Sequence, residues 1–259
     1  MIVTILDDPE AVADAGAARI ASCIEAAIAA RGEAVVCLTG GPTPQRVYEL
    51  LADDDRPWRA RVDWRRVHVF WGDERHVPPD HADSNYGMAS RALLSRVPVR
   101  ADQIHRMRGE LPDAAAAARD CDLALHRACA ALGRHETTFD LELLGLGEDA
   151  HIASLFPGSP LLAVPPPDER VAAVHPEHLG AWRITLTPRA LLDARVLIVL
   201  VAGSHKAHAV HAAFDLATDV GAWPVQLLRQ SGERVEWIMD SAAAAQSPGA
   251  QRARSLSSR

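Results

Sequence analysis

Lysine is almost absent from this chain: 26 of its 27 basic residues are arginines, and the one lysine is Lys206. The 34 acidic residues outnumber the basic ones and give a formal net charge of −7. Extended binding to nucleic acid or to an anionic membrane depends on clustered Lys and Arg, so the composition argues against both kinds of partner. Any bound phosphate must meet a local site, and the retained lysine is a weak hint that position 206 needs a compact ammonium group.

The chain also has few cysteines and no long apolar run. Its four cysteines form no Cys-x-x-Cys pair, which favours buried, reduced thiols in a cytoplasmic protein over disulfides or a cysteine-bound zinc ion. The longest strongly apolar run, residues 196–202, is too short to span a membrane. The acidic first ten residues predict that there is no signal peptide.

What is present is an ordinary globular composition, with 48% hydrophobic and 24% charged residues over 259 positions. Short runs rich in Val, Ile and Leu alternate with helical stretches. This pattern predicts an α/β fold with one doubly wound, mainly parallel sheet and helices on both faces, a Rossmann-like three-layer sandwich. We expect a single domain over residues 1–240. Residues 241–259 are small, polar and basic, and they predict a disordered tail.

The predicted elements follow from apolar periodicity and from turn residues. Strands are predicted at residues 34–38, 67–71, 139–144, 171–174, 183–186, 196–201 and 235–239. Helices are predicted between Asp8 and Gly32, after residue 44, and at residues 86–95, 114–132, 204–216 and 224–230.

In a sheet of this kind ligands bind beyond the carboxyl ends of the strands, so the loops that follow strands are the place to look for function. The first such loop, residues 39–44, reads Thr-Gly-Gly-Pro-Thr-Pro and opens a helix. Gly40 and Gly41 allow close approach of the backbone to a ligand, and free N–H groups at the helix start favour a phosphate. A tight turn without a ligand would use the same residues. The loop has neither a Walker sequence nor a dinucleotide fingerprint.

The second loop carries four consecutive ionisable residues, 73–76, directly after an apolar strand. One interpretation is a solvated loop of compensating charges. The other is that Arg75 clamps an anion or stabilises an oxyanion while Asp73 orients it. Ser84 and Asn85 either cap the next helix or reach into the same cleft.

The third loop, residues 145–158, places Asp149 two residues before His151. An aspartate in this position can hold the imidazole in one tautomer, as a general base working near neutral pH requires. Because the chain has twelve histidines, a surface or core role for His151 is the competing interpretation.

Two more basic residues are candidates. Arg183 begins a strand, and Lys206 follows a strand and a glycine, which points Lys206 at the same edge of the predicted sheet. His205, His208 and His211 suggest a metal, but their three-residue spacing spreads them around a helix without an acidic partner, so we expect no metal site.

Together these segments resemble the 6-phosphogluconolactonases of the glucosamine-6-phosphate isomerase/6-phosphogluconolactonase family, over a stretch from Leu38 to about Asp240. Residues 39–44 are similar to the family's Ser-Gly-Gly-Ser-Thr-Pro loop. Gly-Asp-Glu-Arg at 72–75, with Val77-Pro78 and Ser84-Asn85, matches a rather specific signature. Residues 147–157 resemble Gly-x-Asp-Gly-His-Thr-Ala-Ser-Leu-Phe-Pro, and Arg183-Ile-Thr and Gly203-x-x-Lys206 complete the pattern.

The resemblance implies hydrolysis of 6-phospho-D-glucono-1,5-lactone to 6-phosphogluconate in the oxidative pentose phosphate pathway, without a metal or organic cofactor. It implies that His151 activates water, that Asp149 supports it, and that Arg75, held by Asp73, stabilises negative charge. The residues expected to bind the substrate and its phosphate are Gly40, Gly41, Thr43, Asn85, Arg183 and Lys206. The expected partner is the small-molecule lactone, and the sequence leaves both a monomer and a homodimer open.

Two positions depart from the family pattern. Ala150 replaces the glycine between the aspartate and the histidine, and Ile152 replaces the following threonine. If that glycine needs a positive φ, alanine costs on the order of 1 kcal/mol and could shift His151. Glucosamine-6-phosphate deaminases also have isoleucine after the histidine, whereas Arg75 follows the lactonase pattern. The alternatives are therefore amino-sugar phosphate deamination and isomerisation, and a non-catalytic sugar-phosphate sensor.

Overall fold

Parallel strands and covering helices alternate along the chain, of which a computed structural model describes residues 1–134, 139–163 and 168–257. The strands are β1 (Ile2–Leu6), β2 (Ala34–Leu38), β3 (Val67–Trp71), β4 (Asp73–Arg75), β5 (Phe139–Leu144), β6 (Val171–Val174), β7 (Arg183–Leu186), β8 (Ala194–Val201) and β9 (Val235–Asp240). The α-helices are α1 (Pro9–Arg31), α2 (Pro42–Leu51), α3 (Asn85–Ala89), α4 (Ala114–Ala131), α5 (Pro188–Leu191), α6 (Ala207–Phe214), α7 (Ser241–Ala244) and α8 (Pro248–Ser257).

Shorter helical segments connect these elements. A π-helical turn, Ser90–Leu94, continues α3, and the 3₁₀ segments are Trp64–Arg66, Ala101–Gln103, Pro160–Leu162, Glu177–Leu179, Ser204–Lys206 and Pro224–Arg234. Among the described residues, no helix is both long and apolar enough to cross a membrane.

The main sheet has six strands in the order β1-β9-β8-β5-β2-β3, and every neighbouring pair is parallel. From β2 the chain moves outward to β3 and then returns to the other side of β2 to form β5. The direction of winding therefore reverses between β2 and β5. In open α/β sheets such a reversal opens a crevice at the carboxyl ends of the strands. The loops after β2 and β5 are the ones in which the sequence places glycines, Asp149 and His151.

Two helical layers cover this sheet, as its continuous apolar strands predict. Side chains of β2 alternate between them: Val36 packs in a cluster with α1 and α2, and Cys37 packs in a cluster with α4 and α6. All five residues of β2 are buried. The predicted fold class, a doubly wound and mainly parallel sheet between two helical layers, is confirmed.

A second sheet has three antiparallel strands in the order β4-β7-β6. Strands are found where they are predicted at 171–174 and 183–186, but they belong to this small sheet instead of the parallel one. Its third strand, β4, falls in a segment interpreted from sequence as a polar loop. The register pairs Arg75 with Arg183, which brings two predicted anion-binding side chains to one place.

The prediction of a disordered tail over residues 241–259 is wrong for the part that the structure describes, which forms α7 and α8; residues 258–259 lie outside it. Asp215 accepts hydrogen bonds from the Ser247 hydroxyl (2.6 Å) and from the Gly249 N–H (2.8 Å) at the start of α8. Ala250 is fully buried. Ala243 and Ala244 of α7 are also buried, so the packed structure extends beyond residue 240.

A buried acid lies in the centre of the main sheet. Glu142 on β5 is fully buried beside Cys37, its register partner on β2. Neither carboxyl oxygen accepts a hydrogen bond from an N–H or O–H group of the described residues, and the Cys37 thiol beside it is only a weak donor. Burial raises the pKa of the Glu142 carboxyl well above its usual value, because a low-dielectric interior disfavours the charged form. The folded core therefore favours the neutral form of Glu142.

This arrangement predicts that Glu142→Met stabilises the protein. An unsatisfied buried polar group costs about 1–3 kcal/mol, so the free energy of unfolding at pH 7 should rise by about that amount. Because the pKa of Glu142 is raised in the folded state, the stability of the wild-type protein is highest below the unfolded-state pKa of this group and falls as pH rises. The advantage of the variant should therefore grow between pH 5 and pH 8 in urea unfolding. The exposed Glu233→Met is the control, and a Glu142→Met variant less stable than wild type at pH 8 would contradict this interpretation.

Candidate active site

Two adjoining hollows, of about 260 and 430 Å³, lie at the carboxyl ends of the parallel strands. Both are lined by Asp73, Arg75, His151 and Lys206. The first also contains Gly40, Gly41, Thr43 and Asn85, and the second contains Asp149 and Arg183. The structure therefore brings all ten predicted site residues together in one cleft at the switch point of the sheet.

The glycine loop after β2 forms one wall of this cleft. Gly41 has a φ of +106°, and the N-terminus of α2 that follows has no side-chain cap. At Gly40 a Cβ would lie 1.9 Å from Oδ1 of Asn85, so only glycine lets the Asn85 side chain lie against the loop. The hydroxyl of buried Tyr48 holds Thr39 at both its N–H and its carbonyl. Uncapped N–H groups at a helix start are available for an anion.

His151 and Asp149 form a close pair on the loop after β5. Nδ1 of His151 lies 2.5 Å from Oδ1 of Asp149, which also accepts the His151 backbone N–H at 3.2 Å. Burial of Asp149 disfavours its charge, but these hydrogen bonds outweigh burial and lower the pKa of the carboxyl. A Cβ at Gly147 would lie 2.0 Å from Nδ1, so the pair rests directly on this glycine. With Nδ1 engaged, Nε2 of His151 is the nitrogen left to take up a proton.

Ala150 has a φ of +65°, so the family's glycine is replaced at a position where the backbone is left-handed. Alanine costs on the order of 1 kcal/mol there. Its carbonyl accepts the Val225 N–H at 3.0 Å, and its own N–H donates to Gly147 at 3.1 Å. The backbone is thus fixed from both sides and the His151–Asp149 contact is kept. Alanine in this conformation lowers the stability of the loop, and the contact between His151 and Asp149 is made with alanine in place.

Asp73 does not hold Arg75 in the way the resemblance implies. Its Oδ2 accepts the Ser154 hydroxyl at 2.6 Å, and its Oδ1 accepts the Asn85 side-chain amide at 3.1 Å. The Arg75 guanidinium instead donates to the backbone carbonyl of Asp83. The 8% exposed Asp73 therefore ties Ser154, Asn85 and the second sheet together, and Arg75 is oriented by the loop beyond β4.

Glu74 and Ser154 are organising residues that the sequence reasoning missed. Glu74 is 2% exposed and accepts the backbone N–H groups of Arg75, Asn85 and Tyr86 at 2.7 to 2.8 Å. Burial raises the pKa of Glu74 even though these bonds favour its charged form. The carboxyl fixes the loop on which Arg75 and Asn85 sit. The signal that could have revealed this contact is the pairing of Gly-Asp-Glu-Arg at residues 72–75 with Ser84-Asn85 in the resemblance to the lactonases.

Three cations face the cleft without a carboxylate partner within 4 Å among the described residues: Arg75, Arg183 and Lys206. Burial and the neighbouring Arg75 lower the pKa of Arg183. Burial also lowers the pKa of Lys206, against the opposing influence of Glu148 and Asp149. Positive groups that are partly desolvated and not neutralised are suited to bind a phosphate or another anion. In the described part of the chain, no three His, Cys, Asp or Glu side chains are arranged to hold a metal ion.

Comparison with known proteins identifies the family of this chain. The family model for glucosamine-6-phosphate isomerases and 6-phosphogluconolactonase matches residues 7–237. The chain belongs to the glucosamine-6-phosphate isomerase/6-phosphogluconolactonase family. Within this family, it is 38% identical to the 6-phosphogluconolactonase of Synechocystis over 85% of this chain and 87% of that protein. It is also 38% identical to the 6-phosphogluconolactonase of Mycobacterium tuberculosis, over 95% of this chain and 98% of that protein.

A solved structure from the family shows the same architecture. The 6-phosphogluconolactonase of Trypanosoma brucei superposes with a TM-score of 0.77 at 29% identity, covering 94% of this chain and 97% of that one. The residues that the family model matches, 7–237, include every loop described above.

Proposed function

We propose that this protein hydrolyses 6-phospho-D-glucono-1,5-lactone to 6-phosphogluconate. The observation that carries the proposal is the meeting of the His151–Asp149 pair with Arg75, Arg183 and Lys206 in one cleft. A hydrolase for an anionic lactone needs a base for water and fixed positive charge for two separate anionic groups. Relatives at 38% identity that bear the name 6-phosphogluconolactonase support the same function.

His151 acts as the general base. Its Nδ1–H donates to Asp149, so the neutral ring presents Nε2 to a water molecule in the cleft. As the water oxygen bonds to C1 of the lactone, its proton passes to Nε2 and the carbonyl oxygen becomes an oxyanion. Collapse of the tetrahedral intermediate breaks the bond between C1 and the ring oxygen, which takes the proton back from the imidazolium. Asp149 stabilises that imidazolium while it exists.

The cations have two tasks in this mechanism. Arg75 faces both hollows and stabilises the oxyanion at C1. Arg183 and Lys206 bind the 6-phosphate together with Gly40, Gly41, Thr43 and the N-terminus of α2. Asn85, held by Asp73, shapes the wall between the glycine loop and Arg75.

Lactone disappearance with and without the protein tests the proposal. Lactone freshly made from glucose 6-phosphate is followed by proton release at constant pH. A positioned base and a charged oxyanion donor together predict acceleration of about 10⁴-fold or more over spontaneous opening. Ammonia released from glucosamine 6-phosphate would instead identify a deaminase. Tight binding of 6-phosphogluconate with lactone opening at the spontaneous rate would identify a sensor, and either result would overturn the proposal.

A further inference from the structure

The loop between β6 and β7, residues 175–182, lies at the rim of the cleft, and none of its residues has a role in the mechanism above. Its 3₁₀ turn follows Pro176, whose carbonyl accepts the N–H groups of Leu179 and Gly180. Gly180 ends the turn with a φ of +58°. The turn presents His178 and Leu179 to the larger hollow, where both are lining residues.

We infer that His178 is a further substrate-binding residue, which donates a hydrogen bond to the phosphate of the bound sugar; this inference rests on the proposed function. His178 shares its hollow with Arg183 and Lys206, the two cations assigned to the phosphate. Among the described residues, no hydrogen bond or ion pair engages its ring nitrogens. An imidazole carries at least one N–H in either protonation state, so it can donate to an anion in both.

Packing against Phe156 fixes the position of His178 relative to His151. The Phe156 ring is tilted against His151 at a centroid distance of 4.4 Å and meets His178 in a T-shaped contact at 5.1 Å. Phe156 is only 7% exposed, so it is a fixed spacer between the two imidazoles. The base and His178 are thus one phenyl ring apart along the wall of the hollow. That spacing suits a ligand whose reacting carbon and phosphate lie at opposite ends of a sugar ring.

The carboxylates of the same hollow are compatible with phosphate binding at His178. Asp73 is engaged by Ser154 and Asn85, and Asp149 is engaged by His151. The third carboxylate, Glu148, is exposed and acts electrostatically on Lys206. The phosphate side of the hollow therefore keeps cationic and N–H donors facing the ligand.

His175 provides a matched control on the same loop. It is exposed like His178, but its ring packs on Trp182 at 5.1 Å and it lines neither hollow. His178→Ala, His178→Gln and His175→Ala are compared with wild type. Circular dichroism and melting temperature establish that each exposed-site variant folds.

Two readouts separate this inference from the proposed function. For His178→Ala, we expect the KM for the lactone to rise about 5- to 20-fold while kcat changes less than twofold, because one charge-assisted hydrogen bond is lost. Calorimetry with 6-phosphogluconate and with inorganic phosphate should show the same weakening, whether or not the wild type turns over lactone. His178→Gln keeps an N–H donor, so its affinity for both probes should fall less than threefold. The affinity of His175→Ala should match that of the wild type. Unchanged binding of both probes in His178→Ala, or weakening of 6-phosphogluconate alone, would overturn the inference.

Discussion

Replacing His151 with glutamine is expected to lower kcat for lactone hydrolysis by about 10²- to 10⁴-fold, the range that a positioned general base contributes. Glutamine is similar in size and polar, but its side-chain amide cannot accept a proton from water near neutral pH. The Nδ1 contact with Asp149 at 2.5 Å is the feature that assigns the base. Steady-state kinetics with freshly prepared lactone measure the effect.

Binding must be preserved if the loss is chemical. The Kd for 6-phosphogluconate should stay within about twofold of wild type, since Arg183 and Lys206 remain in place. His208→Gln is the matched control: this exposed histidine packs on Trp223 outside the cleft. A His151→Gln variant that keeps a tenth or more of wild-type kcat would show that another group activates water.

The second large effect is expected at Arg75. Arg75→Met should lower kcat/KM by about 10²- to 10³-fold, the loss that follows removal of one oxyanion donor. Arg75→Lys keeps the charge but not the planar fork that is held by the Asp83 carbonyl, so it should recover only part of the activity. Stopped assays at substrate levels well below KM give kcat/KM directly.

The control for Arg75 is an arginine of similar chemistry away from the cleft. Arg65 is exposed on the segment before β3, and Arg65→Met should leave kcat/KM unchanged. If Arg75→Met raised KM alone and left kcat at the wild-type value, Arg75 would belong with the phosphate ligands, and the oxyanion would need a different donor.

The parallel core of the fold was predictable because its strands are continuous apolar runs covered on both faces. The same reasoning could not place β6 and β7, whose four-residue runs look alike whether they pair in parallel or antiparallel. It also missed β1, in which exposed and buried residues alternate at one edge of the sheet. The helix α8 escaped prediction because its anchor is Asp215, more than thirty residues earlier in the chain.

The site was predictable to the extent that strand ends place residues at one edge of a sheet. That rule brings Asp73, His151 and Lys206 together without any knowledge of side-chain partners. The hydrogen-bond partners of these side chains could not be predicted from the sequence, because Ser154 bonds to Asp73 from a position 81 residues away. The pairing of Asp73 with Arg75 was consequently expected, and the structure shows Ser154 and Asn85 in that place.

The direction in which the sugar phosphate lies is the central claim, and a crystal structure of the protein with bound 6-phosphogluconate measures it directly. The account predicts the C1 carboxylate beside Nε2 of His151 and the Arg75 guanidinium, with the phosphate beside Arg183 and Lys206. A ligand bound outside this cleft, or one whose phosphate lies against His151, would contradict it.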